Sequence, residues 1–253
     1  MNQTNLISTG QFVKQLPNLL LSLPSLIKGI RMATSTDLTK SVGLALCFEE
    51  AVDINPNGPA VISEGRSISY SEMDRWANRI AHLLIERGVV KGDSIAILLD
   101  NRPELLASVL ACSKIGAVSA MLNTAQKGKV LAHSINIVNP KCIIAGEECH
   151  KGFDKIRDQC ELNNHFYFRD IDTLLEIKTQ PQSEIDSQVP NGWEDITDLI
   201  QTQASSNPGL SGSIKPEDPC FYIYTSGTTG LPKAVIFNHG RFMKLIANFG
   251  LVA

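Results

Sequence analysis

Residues able to bind phosphate are concentrated in one short run, Tyr224-Thr225-Ser226-Gly227-Thr228-Thr229-Gly230-Leu231-Pro232-Lys233. Glycine lets the backbone approach a ligand closely and adopt φ values that other residues avoid. Consecutive backbone N–H groups can then form a concave anion site, the hydroxyls add hydrogen-bond donors, and Lys233 adds a compact positive charge. This combination predicts a loop that wraps phosphate.

Two apolar strands are predicted on either side of this loop. Phe221-Tyr222-Ile223-Tyr224 precedes it and Ala234-Val235-Ile236-Phe237 follows it, and both are rich in the aromatic and β-branched residues that favour strands. The run is neither a nucleoside-triphosphatase P-loop, which ends in Gly-Lys-Ser/Thr before a helix, nor a Gly-x-Gly-x-x-Gly dinucleotide motif. The alternative is a surface turn rich in serine, threonine and glycine.

The run from Thr225 to Lys233 resembles, without interruption, the signature of the adenylate-forming superfamily, which includes acyl-CoA synthetases, luciferases and peptide-synthetase adenylation domains. In that superfamily the loop holds the phosphates of ATP. The resemblance therefore implies that the following residues bind ATP: Thr225, Ser226, Gly227, Thr228, Thr229, Gly230 and Lys233. It assigns no catalytic or metal-binding residue in this chain.

The composition is that of a globular protein rather than a nucleic-acid partner. The chain has 253 residues, of which 43% are hydrophobic and 19% charged, and a net charge of -3. No basic block is interleaved with aromatic residues, so nucleic acid is excluded as a partner. The six cysteines are scattered with no Cys-x-x-Cys pair, which predicts reduced thiols in a cytoplasmic protein. Cys149-His150 lacks the second pair that a metal site needs.

Residues 1–40 form a leucine-rich N-terminal extension. Within it, residues 12–31 hold short apolar runs that Pro17 and Pro24 interrupt. A spanning helix needs about 20 continuous apolar residues, so this segment does not cross a membrane. Two interpretations stay open: an amphipathic segment in peripheral contact with a membrane, or an extension packed on its own domain, which the two prolines favour.

From residue 41 to residue 253 the predicted strands and helices alternate, which indicates an α/β fold with a mostly parallel sheet flanked by helices. The clearest helix begins at a capping box, Ser69 with Glu72, and stops at Gly88. His82 is expected at the rim of this helix. Residues 169–218 are expected to be a loop-rich, mobile connection. The other predicted elements are strands at 60–62, 67–70, 94–99, 117–122, 142–145 and 165–168, helices at 129–137 and 147–160, a short helix within 193–200, and a helix from 238 toward 247.

Two residues near helix starts receive specific predictions. Asn101 is predicted to cap a helix that has Pro103 in its first turn and Gly116 at its end. His239 lies just beyond the second loop strand, where it either contacts the nucleotide or serves in capping and packing.

Weaker motifs resemble those of one branch of the superfamily. Residues 68–73 and 114–118 resemble its first two motifs, and residues 101–104, 114–124 and 131–134 are similar to the fatty-acid transport protein and very-long-chain acyl-CoA synthetase branch. Lys127 stands where that branch often has arginine, which alone offers bidentate geometry. The resemblance implies that ATP, Mg²⁺ and coenzyme A serve to activate a long-chain or very-long-chain fatty acid.

The motifs that complete such an enzyme are absent. No Tyr-Gly-x-Thr-Glu or Thr-Gly-Asp occurs, so the metal-binding motif, the ribose-binding aspartate and the C-terminal lysine domain are expected beyond Ala253. The chain is therefore expected to be an incomplete, N-terminal portion without ligase activity of its own. Two alternatives stay open: an adenylate-forming enzyme for another acid, or a non-catalytic remnant that binds nucleotide or lipid.

Overall fold

The computed structural model describes most of the chain from residue 43 onward. The described residues are 43–63, 65–162, 164–169, 189–226 and 230–250, with Leu23 and Ile27, and for 247–250 the backbone alone. Outside this set lie residues 170–188 of the predicted connection. The N-terminal extension, apart from Leu23 and Ile27, also lies outside it.

Helices and strands alternate along the described residues. The helices are α1 (Leu44–Ile54), α2 (Tyr70–Glu86), α3 (Pro103–Ile115), α4 (Gly128–Asn136), α5 (His150–Asp154), α6 (Ile196–Leu199) and α7 (His239–Gly250). The strands are β1 (Pro59–Ser63), β2 (Arg66–Ser69), β3 (Ser94–Leu98), β4 (Val118–Met121), β5 (Cys142–Gly146), β6 (Asn164–Phe168), β7 (Glu194–Asp195), β8 (Pro219–Thr225) and β9 (Lys233–Asn238). Short 3₁₀ turns occur at Arg157–Gln159, Ile200–Thr202 and Ser211–Ser213.

Seven of the described strands form one sheet, in the order β7-β6-β5-β3-β4-β8-β9. All neighbours are parallel except β8 and β9, which pair antiparallel. β1 and β2 form a separate antiparallel hairpin. The prediction of a mostly parallel sheet flanked by helices is confirmed.

The sheet divides the interior into two apolar layers. Side chains alternate between the faces of a strand, so Ile95 and Ile97 of β3 pack toward α2 and α3, while Ala96 and Leu98 pack toward α4 and α5. Such strands, buried on both faces, are the expected result of covering a parallel sheet with helices on each side.

Helix α2 begins where its sequence predicts. The Ser69 hydroxyl accepts a hydrogen bond from the Glu72 backbone N–H, and the Glu72 carboxylate accepts one from the Ser69 backbone N–H, which completes the capping box. Gly88, just past the helix, has a φ of +77°, a conformation that favours glycine. His82 lies half-buried at the rim, with Nε2 2.9 Å from the Ser206 carbonyl oxygen.

Two local predictions are wrong. Asn101 does not cap α3, because the N-cap position is Arg102 and its side chain makes no capping hydrogen bond. Pro103 at the first helical position and Gly116 at the left-handed C-cap are as predicted. The helix expected over 147–160 shrinks to α5 followed by the 3₁₀ turn at Arg157–Gln159.

The described part of the predicted connection, residues 189–218, adds a strand to the sheet. β7 pairs parallel with β6, and Arg87 at the end of α2 makes two hydrogen bonds of 2.7 Å to the Glu194 carboxylate. Trp193 is buried, and its Nε1–H donates to the Asp154 carboxylate at 2.8 Å. This segment therefore packs against both apolar layers.

Candidate functional site

The candidate phosphate loop closes the hairpin formed by β8 and β9. The two strands pair in register from Phe221 opposite Phe237 to Thr225 opposite Lys233, where the ladder ends and the loop begins. β8 runs parallel to β4, so the loop leaves the sheet at the edge where the other parallel strands also have their carboxyl ends. Ligands of open α/β sheets commonly bind at that edge.

The described residues of the loop are open to solvent. Thr225, Ser226, Gly230 and Lys233 are exposed, while 227–229 lie outside the described residues. Gly230 has a φ of +82°, and a Cβ built there would meet nothing within 4 Å. The glycine is therefore required by the backbone conformation rather than by crowding. The prediction of strand, loop and strand is confirmed, and the ligand of the loop stays a prediction.

Helix α4 contacts both stems of the loop. His133 Nε2 lies 3.1 Å from the carbonyl oxygen of Pro232, on the outgoing side. On the incoming side the Tyr224 hydroxyl donates to the carbonyl oxygen of Ser134 at 2.8 Å. Burial raises the pKa of the Tyr224 hydroxyl well above its usual range, so the hydroxyl stays protonated as a donor.

The sequence alone indicates no role for these anchoring residues. Residues 131–134 stand out in it only by their resemblance to a family branch. His133 and Pro232 are 99 positions apart, so neither local periodicity nor spacing could pair them. The available signal was a histidine on the helix that crosses between two parallel strands beside the hairpin.

His239 packs in the interior at the start of α7. Its side chain is 0% exposed, and its backbone N–H donates to the Asp218 carbonyl oxygen at 3.0 Å. Gly43 lies against the ring, where a Cβ would approach Nδ1 to 2.8 Å. Of the two roles predicted for His239, this location matches packing, because a buried ring offers no surface to a nucleotide.

A second polar cluster lies at the carboxyl ends of β3 and β5. Potential ligand atoms of Asp100, Glu148 and Cys149 lie within 4.8 Å of one another. However, Glu148 already accepts hydrogen bonds from the Asp100 backbone N–H at 2.9 Å and from Arg102 at 3.0 Å. Burial raises the pKa of the Cys149 thiol to about 12, which keeps it protonated and a poor ligand. We assign this cluster to the fold.

His150, beside Cys149, is likewise part of the packing. Its Nδ1 lies 2.8 Å from the Glu147 carbonyl oxygen, and its ring meets Tyr167 and Trp193 edge to face. The cysteine–histidine pair noted in the sequence therefore has an ordinary role in the apolar layer.

The feature by which we classify this protein is an antiparallel hairpin at the edge of an otherwise parallel sheet. The loop of that hairpin carries hydroxyl, glycine and lysine residues. The chain matches the family model described as AMP-binding enzyme over residues 48–252. It therefore belongs to the AMP-binding enzyme family, as the resemblance of its loop implied.

Relatives of the chain include enzymes for acids of different lengths. It is 27% identical to the medium/long-chain-fatty-acid–CoA ligase FadD6 of Mycobacterium tuberculosis, covering 93% of this chain and 36% of that protein. It is 30% identical to long-chain fatty acid transport protein 1 of Rattus norvegicus, covering 80% and 30%. It is 32% identical to acetyl-coenzyme A synthetase of Emericella nidulans, covering 78% and 30%. The chain thus spans about a third of the length of these relatives.

Among solved structures, the fold is similar to that of the anthranilate CoA ligase AuaEII in complex with anthranoyl-AMP. The TM-score is 0.69 at 21% identity, over 81% of this chain and 36% of that one. At this level of identity the similarity concerns the fold.

Proposed function

We propose that this chain is the N-terminal, nucleotide-binding portion of an enzyme that activates a long-chain or very-long-chain fatty acid with ATP and transfers the acyl group to coenzyme A. The observation that carries the proposal is the loop between Thr225 and Lys233, in a chain that belongs to the AMP-binding enzyme family. The names of the mycobacterial and rat relatives support a fatty acid as the substrate.

In this proposal the loop binds the polyphosphate of ATP. Backbone N–H groups and hydroxyls donate to phosphate oxygens, and Lys233 neutralises charge while a carboxylate oxygen attacks the α-phosphorus and pyrophosphate leaves. The acyl adenylate then loses AMP when the thiol of coenzyme A attacks the acyl carbon. The residues assigned to ATP are Thr225, Ser226, Gly227, Thr228, Thr229, Gly230 and Lys233.

Mg²⁺ accompanies ATP in the proposed reaction and would add charge neutralisation. The exposed hydroxyls of Thr225 and Ser226 suit phosphate oxygens better than they suit the metal, which favours carboxylates. The carboxylates of Asp100 and Glu148 belong to the cluster already assigned to the fold. We therefore assign the metal no ligand in this chain.

Under the proposed function, residues 41–253 are an incomplete adenylate-forming domain that follows the extension of residues 1–40. The chain spans 36% of the mycobacterial ligase and contains neither Tyr-Gly-x-Thr-Glu nor Thr-Gly-Asp. We infer that the isolated chain binds nucleotide without forming acyl-CoA. Acyl-CoA formation by the purified chain, measured with palmitate, ATP, Mg²⁺ and coenzyme A, would contradict this inference.

Replacing Lys233 tests the loop directly. We expect Lys233→Ala to weaken ATP binding about tenfold or more, because a charge-assisted hydrogen bond contributes about 1.5–3 kcal/mol. Titration calorimetry of the 253-residue chain with ATP measures the change. Lys141→Ala is the matched control, because Lys141 is an exposed lysine just before β5. It lies at the amino-terminal ends of the parallel strands, whereas the loop lies at their carboxyl ends. Equal affinities for wild type and Lys233→Ala would refute the role of the loop.

A second candidate function is the activation of another carboxylic acid. It is favoured by the 32% identity to an acetyl-coenzyme A synthetase. Comparing acetate, benzoate and palmitate as substrates of the full-length parent protein separates the two candidates. ATP binding without turnover of any acid by that protein would instead indicate a non-catalytic binding protein.

The proposed location is the cytoplasm, with peripheral membrane contact through residues 12–31. The rat relative's name, long-chain fatty acid transport protein, supports contact with lipid. No helix in the part of the chain that the structure describes is long and apolar enough to cross a bilayer. Co-sedimentation with anionic vesicles, with and without residues 1–40, distinguishes this contact from packing of the extension on its own domain.

A further inference from the structure

His133 provides a side-chain hydrogen bond to the outgoing stem of the loop. It lies on α4, a helix of the layer that also contains the partly buried ring of Tyr224. Its Nε2 is 3.1 Å from the Pro232 carbonyl oxygen. A carbonyl oxygen only accepts, so Nε2 must carry a proton and donate.

The position of this acceptor matters because Pro232 is the residue immediately before Lys233. The peptide bond that joins them is planar, so a hydrogen bond to the Pro232 carbonyl fixes the orientation of the whole peptide unit, including the Lys233 N–H. The proline ring fixes φ at its own position. Together these constraints set the direction in which the backbone enters β9. They therefore also set the direction in which the Lys233 side chain points from the backbone.

The opposite stem is held by the next residue of the same helix. The Tyr224 hydroxyl donates to the Ser134 carbonyl oxygen at 2.8 Å, and Thr225 pairs with Lys233 across the hairpin. Consecutive residues of α4 therefore hold the two ends of the loop. A loop held in its binding conformation loses less conformational entropy when a ligand binds.

We propose that His133 is a positioning residue for nucleotide binding: its hydrogen bond to Pro232 fixes the loop stem that carries Lys233. The proposal rests on the proposed function of the loop. His133 contacts the backbone of the loop and acts on the nucleotide through it.

Three variants test the role of His133 in ATP affinity. We expect His133→Ala to raise the Kd for ATP about 3- to 10-fold, the equivalent of one neutral hydrogen bond. His133→Gln restores most of the affinity, because its side-chain amide donates at a similar reach. His82→Ala is the matched control: His82 Nε2 also meets a backbone carbonyl, at 2.9 Å, but that carbonyl belongs to Ser206. The His82→Ala variant loses a comparable hydrogen bond, and we expect its Kd for ATP to equal that of wild type.

Hydrogen exchange of the protein without nucleotide separates this inference from the function it rests on. We expect the amides of Lys233 and Ala234, where β9 enters its ladder with β8, to exchange at least about threefold faster in His133→Ala than in wild type or His82→Ala. Faster exchange together with no ATP binding by wild type would refute the function and retain the anchor. Wild-type exchange and ATP affinity in His133→Ala, or failure of glutamine to restore either property, would refute the positioning role.

Discussion

The buried imidazole of His239 makes the stability of this protein sensitive to acid. The His239 side chain is 0% exposed, and burial lowers its pKa to about 4. The charge of Asp218 opposes this shift, and the positive charge of Lys91 adds a smaller lowering of the pKa. An unfolded histidine has a pKa of about 6.5. Between these two values the unfolded chain binds a proton that the folded chain does not.

We expect the free energy of unfolding to fall as the pH drops from about 6.5 to about 4, because proton binding to the unfolded state pulls the equilibrium toward it. The full stabilisation is present above pH 6.5 and is lost as the pH approaches the folded pKa of about 4. The difference amounts to roughly 3 kcal/mol at most. Urea denaturation followed by tryptophan fluorescence at half-unit pH steps measures it.

The His239→Leu variant isolates this contribution, since other groups also titrate in the same range. Burial raises the pKa of Asp195 and hydrogen bonds lower that of Glu72, and both carboxyls are present in wild type and variant. The variant should therefore lose less stability than wild type between pH 6.5 and pH 4. Parallel curves for the two proteins would show that His239 does not titrate differently on folding.

At the scale of elements, the sequence predicted those whose ends are set by local chemistry. The Ser69 capping box, Pro103 at a first helical turn and Gly116 at a helix end all act within a few residues of the chain. The parallel strands β3, β4 and β5 were equally predictable, because each is a short, mostly apolar run. Asn101 failed as a cap because proline one residue beyond Arg102 determined where α3 begins.

Elements determined by distant contacts were not predictable. β7 consists of Glu194 and Asp195, which show no apolar pattern, and its position depends on pairing with β6 and on Arg87. The candidate site divides in the same way. The strands of the hairpin and the phosphate-binding composition of its loop are local features of the sequence, whereas the contact between His133 and Pro232 exists only in the folded protein.

Lys114 joins three elements through a buried ion network. Its side chain is 0% exposed on α3, and its Nζ lies 2.7 Å from Glu49 of α1 and 2.9 Å from Asp74 of α2. The second oxygen of Glu49 accepts from the Ser211 hydroxyl at 2.9 Å. One cation thus fixes the relative positions of three helices and of the turn that precedes β8.

We expect Lys114→Met to lower the free energy of unfolding by about 3 kcal/mol, because it leaves two half-buried carboxylates facing each other without a cation. The triple variant Lys114→Met, Glu49→Gln, Asp74→Asn should recover at least half of that loss, since it removes the uncompensated charges. Chemical denaturation provides both values.

A matched control is Lys91→Met, which breaks the ion pair with Asp218, where the lysine side chain is 42% exposed. An exposed pair contributes about 1 kcal/mol or less. Equal losses for Lys91→Met and Lys114→Met would show that burial adds nothing to the network.

At the scale of the whole molecule, one sheet lies between two apolar layers. Each layer is made of residues from several distant segments of the chain. Cys112, Cys142 and Cys220 lie in the layer formed with α2 and α3, and Cys149 lies in the layer formed with α4 and α5. Cys142 and Ile143 are neighbours on β5 yet belong to different layers. Because the strands are shared, neither layer can lose its packing while the other keeps its own.

We therefore expect the four buried thiols to become reactive together, at one urea concentration. Burial raises the pKa of Cys112, Cys149 and Cys220 to about 12, and the thiolate is the reactive form, so iodoacetamide should label them only through unfolding. Cys47 is partly exposed and should react without urea, which makes it an internal control. Mass spectrometry of each labelled peptide across a urea series measures the transitions. Labelling of Cys149 at a lower urea concentration than Cys112 would show that the layer on α4 and α5 opens independently, contrary to a single cooperative unit.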